Sequence, residues 1–182
     1  MKTCVFITGT NAVGKTTLAK ALIEQYGGIK EASKELTFCN DARVCFAGKY
    51  AIDKTFGGVD GFNQTKCLEG VVREGLTKAD VIFCEGMYLH TFGLNLTNAM
   101  FSAEKHLIVF LYAPVSVINE RLLSRAGKGI KNDAVWKKQQ NCATAAKKWQ
   151  SIGVPVYAFD TSKTSIDEII KRITEYVDNK RL

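Results

Sequence analysis

At 182 residues, with 46 % hydrophobic and 24 % charged side chains, the chain has the composition of a globular protein with one core of ordinary size. No apolar run approaches the roughly 20 residues a membrane span needs. The chain enters its first strand candidate at once, which predicts no signal peptide, no membrane partner and a cytoplasmic location. The net charge of +7 arises in residues 121–150, which hold eight basic side chains and one acid. Six cysteines include no C-x-x-C pair, so neither a zinc nor a redox site is expected. Cys4, Cys45 and Cys84 lie in apolar, strand-like runs and read as buried free thiols in a reducing compartment.

The first strand is predicted at about 2–8, with Cys4-Val5-Phe6-Ile7 as its apolar run. Gly9-Thr10-Asn11-Ala12-Val13-Gly14-Lys15-Thr16 follows and fits G-x-x-x-x-G-K-[ST], the phosphate-binding loop. A helix is predicted from about 15 to Tyr26, with Leu18 and Leu22, and Ala19 and Ile23, as i,i+4 pairs, stopped by Gly27-Gly28. Residues 29–42 are poorly periodic, apart from a short strand candidate at Leu36-Thr37-Phe38-Cys39. Arg43–Tyr50 is a further strand candidate, and Asp53–Asn63, with three glycines around Asp60, is a loop. A helix is expected over Gln64–Lys78, then a buried strand over Asp80–Cys84 ending at Glu85-Gly86. Phe92–Ala103 reads as helix and His106–Tyr112 as strand. Pro114 opens a helix to about Ser124 at a position where its missing N–H costs little. Ala126-Gly127-Lys128-Gly129 breaks that helix, and Asp133–Ser151 is a long one. Val154–Phe159 is the last strand and Ser165–Val177 the last helix. Alternating helices and apolar strands imply a parallel sheet covered on both faces, a three-layer α/β domain spanning 1–182.

The loop carries the chemistry. Its glycines let successive N–H groups of Asn11, Ala12, Val13, Gly14, Lys15, Thr16 and Thr17 converge on an anion at a helix N-terminus. Lys15 supplies a point charge and is expected to face solvent in the empty loop. Thr16 is placed to ligate Mg²⁺. Ligands in such sheets sit at the carboxyl ends of strands, so Glu85, which ends an apolar strand, is the second candidate, for Mg²⁺ or for an acceptor proton. Arg121 and Arg125 share a helix face and lead into a lid at about 121–133, where mobile arginines can neutralise a transferring phosphoryl group. Among Asp41, Asp53 and Asp60, Asp60 in Gly57-Gly58-Val59-Asp60-Gly61 is the preferred acceptor residue and Asp41 the second choice as base. Asp160-Thr161-Ser162 follows the last strand, where Thr161 can lie beside a purine ring or cap a helix.

The phosphate loop, the strand end Val81-Ile82-Phe83-Cys84-Glu85-Gly86, the Arg-x-x-x-Arg before a lid and the late Asp-Thr-Ser together resemble the nucleoside/nucleotide kinase group of P-loop kinases. That resemblance implies a five-stranded parallel sheet, a lid over ATP, Mg²⁺ dependence and phosphoryl transfer to a hydroxyl or phosphate. Thr77-Lys78-Ala79-Asp80 matches a guanine-reading motif but precedes a strand instead of following one, which argues against a GTPase switch.

The acceptor is read from charge. On the helix over 133–151, Val135, Gln139, Cys142, Ala146 and Trp149 share one face, with Lys137, Lys138, Lys147 and Lys148 roughly opposite. With Lys128 and Lys131 these can track a phosphate backbone. The basic lid and the Gly-Gly-Val-Asp-Gly loop are similar to phage kinases that phosphorylate 5-hydroxymethyluracil within DNA. The resemblance therefore implies a hydroxymethylated base in DNA as acceptor, with a free nucleoside or nucleotide as the alternative.

Overall fold

The computed structural model describes residues 1–51, 58–62, 68–127 and 131–178. Asp53 and Lys128, and the centre of the expected lid, lie outside the described residues. Among the described residues, seven strands form one sheet: β1 (Thr3–Gly9), β2 (Ile29–Ala32), β3 (Leu36–Cys39), β4 (Val44–Ala47), β5 (Val81–Glu85), β6 (Lys105–Tyr112) and β7 (Val156–Asp160). Their order is β2-β3-β4-β5-β1-β6-β7. The helices of the described residues are α1 (Lys15–Gln25), α2 (Leu68–Lys78), α3 (Leu94–Met100), α4 (Val115–Ala126), α5 (Asn132–Ser151) and α6 (Ile166–Asp178). Pro114 stands one residue ahead of α4, with ψ 144°, instead of inside its first turn.

The expected five-stranded parallel sheet is corrected to a mixed sheet of seven. Strands β4, β5, β1, β6 and β7 run parallel to their neighbours. Two further strands, β2 and β3, add to β4 as an antiparallel extension. β3 coincides with the strand candidate Leu36–Cys39, whereas β2 gave no sequence signal because of its position. β2 is an edge strand with Lys30, Glu31 and Ala32 exposed, so it carries no apolar run.

Side-chain alternation splits the core into two layers. Cys4, Phe6, Ile82, Cys84, Ile108 and Phe110 point to one face, where α2, α3 and α5 cover them with Val72, Leu96, Met100, Cys142 and Trp149. Val5, Ile7, Phe83, Leu107, Val109 and Leu111 point to the other, under Leu18 and Leu22 of α1, Ile118 and Leu122 of α4, and Ile169 and Ile173 of α6. The three-layer expectation is met by this arrangement. Cys4, Cys39, Cys45, Cys84 and Cys142 are buried free thiols. No described helix is long and apolar enough to cross a membrane.

Trp149 anchors α5 to the sheet. It is 1 % exposed and meets Phe6 of β1 edge-on at 6.1 Å between ring centroids and Phe92 at 5.0 Å. Trp149→Ala is expected to cost about 3–5 kcal/mol of stability, the usual price of a deleted core aromatic. Calorimetry should then show the melting temperature lowered by on the order of 10 °C.

Candidate active site

The site begins where β1 ends. Gly9 has φ +148°, and a Cβ there would lie 2.2 Å from the Leu111 carbonyl oxygen of β6. A side chain at this position would therefore push β1 and β6 apart. The loop then turns through Ala12, a non-glycine residue at φ 59°, a conformation that costs on the order of 1–3 kcal/mol and recurs at ligand sites. Gly14 caps α1, and the Leu18 amide donates to its carbonyl at 2.9 Å. The amides of Lys15, Thr16 and Thr17 lie ahead of this first helical bond, at the positive end of the α1 dipole.

These residues form one wall of a cavity of about 530 Å³. Asn11, Ala12, Val13, Gly14, Lys15, Thr16 and Thr17 all line it, and so do Asp60, Glu85, Arg121, Arg125 and Thr161. The structure thus brings together the phosphate loop, the strand-end glutamate, both arginines, the preferred aspartate and the late threonine. Asp41 is elsewhere. Its carboxylate holds the Arg43 guanidinium at 2.8 Å and accepts the Arg43 amide at 3.0 Å, closing the β3–β4 turn. The second choice as base is thereby corrected to a turn residue.

Lys15 corrects another expectation. It is only 8 % exposed, and its Nζ donates to the Thr10 carbonyl at 2.8 Å. The loop folds its own carbonyl over the ammonium instead of leaving it in solvent. Burial lowers the Lys15 pKa, opposed by the negative charges of Glu85 and Asp60.

Glu85 closes β5, level with Ile7 of β1, and is 2 % exposed. The Thr16 hydroxyl donates to its Oε1 at 3.3 Å. The Tyr50 hydroxyl donates to its Oε2, also at 3.3 Å. Gly58, at φ +82°, lies flat against it: a Cβ there would be 2.1 Å from the Glu85 carbonyl oxygen and 2.6 Å from Oε2. Burial pushes the Glu85 pKa up to about 7, with Lys15 pulling it down and Asp60 adding to the rise.

Asp60 lies at the cavity in the short 3-10 turn Val59–Gly61. Its Oδ1 accepts the amides of Met87 at 2.7 Å and Tyr88 at 3.3 Å, so it fixes the turn that follows Glu85 and Gly86. Arg121 is engaged by the protein itself. Its guanidinium donates to the Ala12 carbonyl at 3.2 Å, the Thr161 hydroxyl at 2.9 Å and the Thr161 carbonyl at 2.9 Å. It ties the phosphate loop to the segment after β7. Arg125, one turn on in α4, lines the cavity. Asp160 caps its own turn, accepting from the Ser162 amide and hydroxyl.

Along α5, the buried residues are Val135, Cys142, Ala145, Ala146 and Trp149. Lys131, Lys137, Lys147 and Lys148 are exposed, whereas Lys138 is half-buried. Lys148 stands 6.0 Å from the Phe92 ring centroid.

Tyr50 and Gly58 were not singled out from the sequence. Tyr50 closes the strand candidate Arg43–Tyr50, and the strand-end rule that found Glu85 points to it as well. Gly58 was visible as a loop glycine, but its close approach to Glu85 is a tertiary fact.

No protein-family model matches the chain, and neither does any curated protein. Solved structures do. The YorR protein from Bacillus subtilis, in complex with phosphorylated GDP, superposes with a TM-score of 0.61 at 17 % identity, covering 96 % of this chain and 95 % of that one. A sugar kinase from Janibacter sp. gives 0.57 at 15 %, with 98 % and 95 % covered. Deoxyadenosine kinase from M. mycoides with bound dCTP gives 0.51 at 14 %, with 94 % and 99 % covered. The chain shares their fold.

The raised Glu85 pKa has a stability consequence. Between the ordinary 4.5 and about 7, the folded chain keeps a proton on Glu85 that the unfolded chain has released. Stability from this group is complete below the lower value and is lost as pH rises through the upper one. Melting of the ligand-free protein across that window should show Glu85→Gln gaining stability relative to wild type as pH increases. A difference between the two that does not vary with pH would contradict the buried, proton-binding state.

Proposed function

We propose that the chain is a kinase that transfers the γ-phosphate of ATP to a hydroxyl of a small nucleoside-like or sugar-like acceptor. The observation that carries this reading is the single cavity wall shared by the phosphate loop, Lys15 and the buried carboxylate of Glu85. Its volume suits a nucleotide with a small partner. The fold likeness to a sugar kinase and a deoxyadenosine kinase supports the reaction class.

The roles follow from position. The loop amides and Lys15 hold the β- and γ-phosphates, with Thr17 at the start of α1. Arg125 adds positive charge where the phosphoryl group moves. Arg121 keeps Ala12 and Thr161 in place, and Thr161 borders the nucleoside. Thr16 and Glu85 offer an oxygen-only donor set, 3.3 Å apart, of the kind that Mg²⁺ accepts. The ion, when bound, neutralises phosphate charge. Asp60, at the same cavity, is the carboxylate that receives the acceptor hydroxyl.

A second reading keeps DNA with a hydroxymethylated base as acceptor. The exposed Lys131, Lys137, Lys147 and Lys148 favour it. Lys138 is drawn partly into the protein and Lys148 sits beside Phe92, so the row is less continuous than the helical wheel implies. The small acceptor ranks first for that reason.

A labelled-ATP transfer screen across nucleosides, nucleoside monophosphates, sugars, and plain and hydroxymethylated DNA tests both readings. Transfer to a free small molecule is expected. Transfer confined to hydroxymethylated DNA, with affinity falling steeply as salt increases, would replace the first reading by the second. Lys15→Ala should lower turnover by roughly 10²-fold or more, with circular dichroism unchanged. Near wild-type turnover in that variant would remove the kinase reading.

A further inference from the structure

Behind Glu85 stand two hydroxyl side chains, Tyr50 and, joined to it through the Tyr50 amide, Thr37 of the antiparallel extension. Thr37 of β3 is fully buried. Its hydroxyl donates to the Gly48 carbonyl at 2.8 Å and accepts the Tyr50 amide at 3.0 Å. One side chain thus fixes both ends of the Gly48–Tyr50 turn that leaves β4. The Tyr50 ring then packs edge-on against Phe46 at 5.6 Å. Its hydroxyl reaches Glu85 Oε2, and Tyr50 is 2 % exposed.

We propose that Tyr50, held by Thr37, is a positioning residue that sets the rotamer of the Glu85 carboxylate and so aims Oε1 at Thr16. This rests on the kinase reading above only for its effect on turnover. Three features carry it. Tyr50 does not line the described cavity, so it acts through Glu85 and not on a ligand. Gly58 leaves no room for the carboxyl to swing toward the 58–60 turn, since even a Cβ would lie 2.6 Å from Oε2. The two carboxylate oxygens have separate donors, Thr16 on one and Tyr50 on the other, which fixes the plane of the group and not merely its distance. A buried phenol with one hydrogen-bond acceptor is a poor way to fill a core, because a phenylalanine would pack there without a polar group to satisfy. The hydroxyl has a use: it keeps Oε2 occupied and leaves Oε1 to Thr16 at the cavity wall. Supporting residues of this kind typically alter activity or metal affinity by about ten- to a hundredfold when removed.

The experiment is Tyr50→Phe, which keeps the ring and its packing, with Thr37→Val and Thr37→Ser beside it. Crystal structures of wild type and Tyr50→Phe give the Glu85 carboxyl orientation without reference to activity. Steady-state kinetics at saturating acceptor give kcat and the ATP KM. The carboxyl is expected to rotate in Tyr50→Phe. Turnover should fall about tenfold with the ATP KM within about twofold, because the loop amides that hold the phosphates are untouched. Thr37→Val should act in the same direction, and Thr37→Ser should restore wild-type behaviour. A Glu85 carboxyl at its wild-type orientation in Tyr50→Phe overturns the inference whatever the turnover, and so does an unchanged kcat in a protein that transfers phosphate. A carboxyl that rotates in a protein with no transfer activity at all upholds the positioning role and removes the proposed function instead.

Discussion

An ammonium and a carboxylate are buried together at the carboxyl end of the parallel strands, and the local backbone is arranged around keeping both. Removing an ion from water costs several kcal/mol even after relaxation. Lys15 recovers part of this from the Thr10 carbonyl, and Glu85 from the hydroxyls of Thr16 and Tyr50. Each also feels the opposite charge of the other. Burial still wins at both, since Lys15 is shifted down and Glu85 up, each toward its neutral form. The site is therefore under-compensated by the protein alone. A ligand that brings negative charge to Lys15 and positive charge to Glu85 would complete it, and a triphosphate with its cation has that pattern.

Holding those charges shapes elements far beyond the phosphate loop. Gly58 must be glycine because a side chain would strike Glu85, and a Cβ on Gly48 would in turn meet the Gly58 carbonyl oxygen at 2.3 Å. Two segments of backbone are thereby stacked behind the carboxylate. Asp60 secures the next turn through the Met87 and Tyr88 amides. The sheet extension, which looks peripheral in the strand order, reaches the site through Thr37.

Much of this was legible in the sequence where burial is continuous. β1, β5 and β6 are apolar runs because both faces of a central parallel strand are covered. The phosphate loop was legible because its glycines and lysine answer to local backbone geometry. β2 was not, since an exposed edge strand needs no hydrophobic pattern. The same holds for side-chain partners. Asp60 was found as a loop acid beside glycines, but its two amide contacts lie 27 and 28 residues away. Arg121 was identified by its spacing from Arg125, yet its engagement with Thr161 depends on where β7 ends. Tyr50 stands at the end of a strand candidate, but that its hydroxyl meets a carboxylate 35 residues on is a tertiary fact.

The Arg121 bridge also bears on the order in which the molecule is made. The phosphate loop is synthesised before its brace, since its Ala12 carbonyl is held from a position 109 residues later. That brace is itself held by Thr161, a further 40 residues on. On the ribosome, the motif emerges long before the groups that hold it in shape. A nascent chain that stops short of β7 carries the full phosphate-binding sequence with a loop that has not yet been clamped. The clamped shape of the loop is thus a property of the fold assembled through β7, and not of the motif alone.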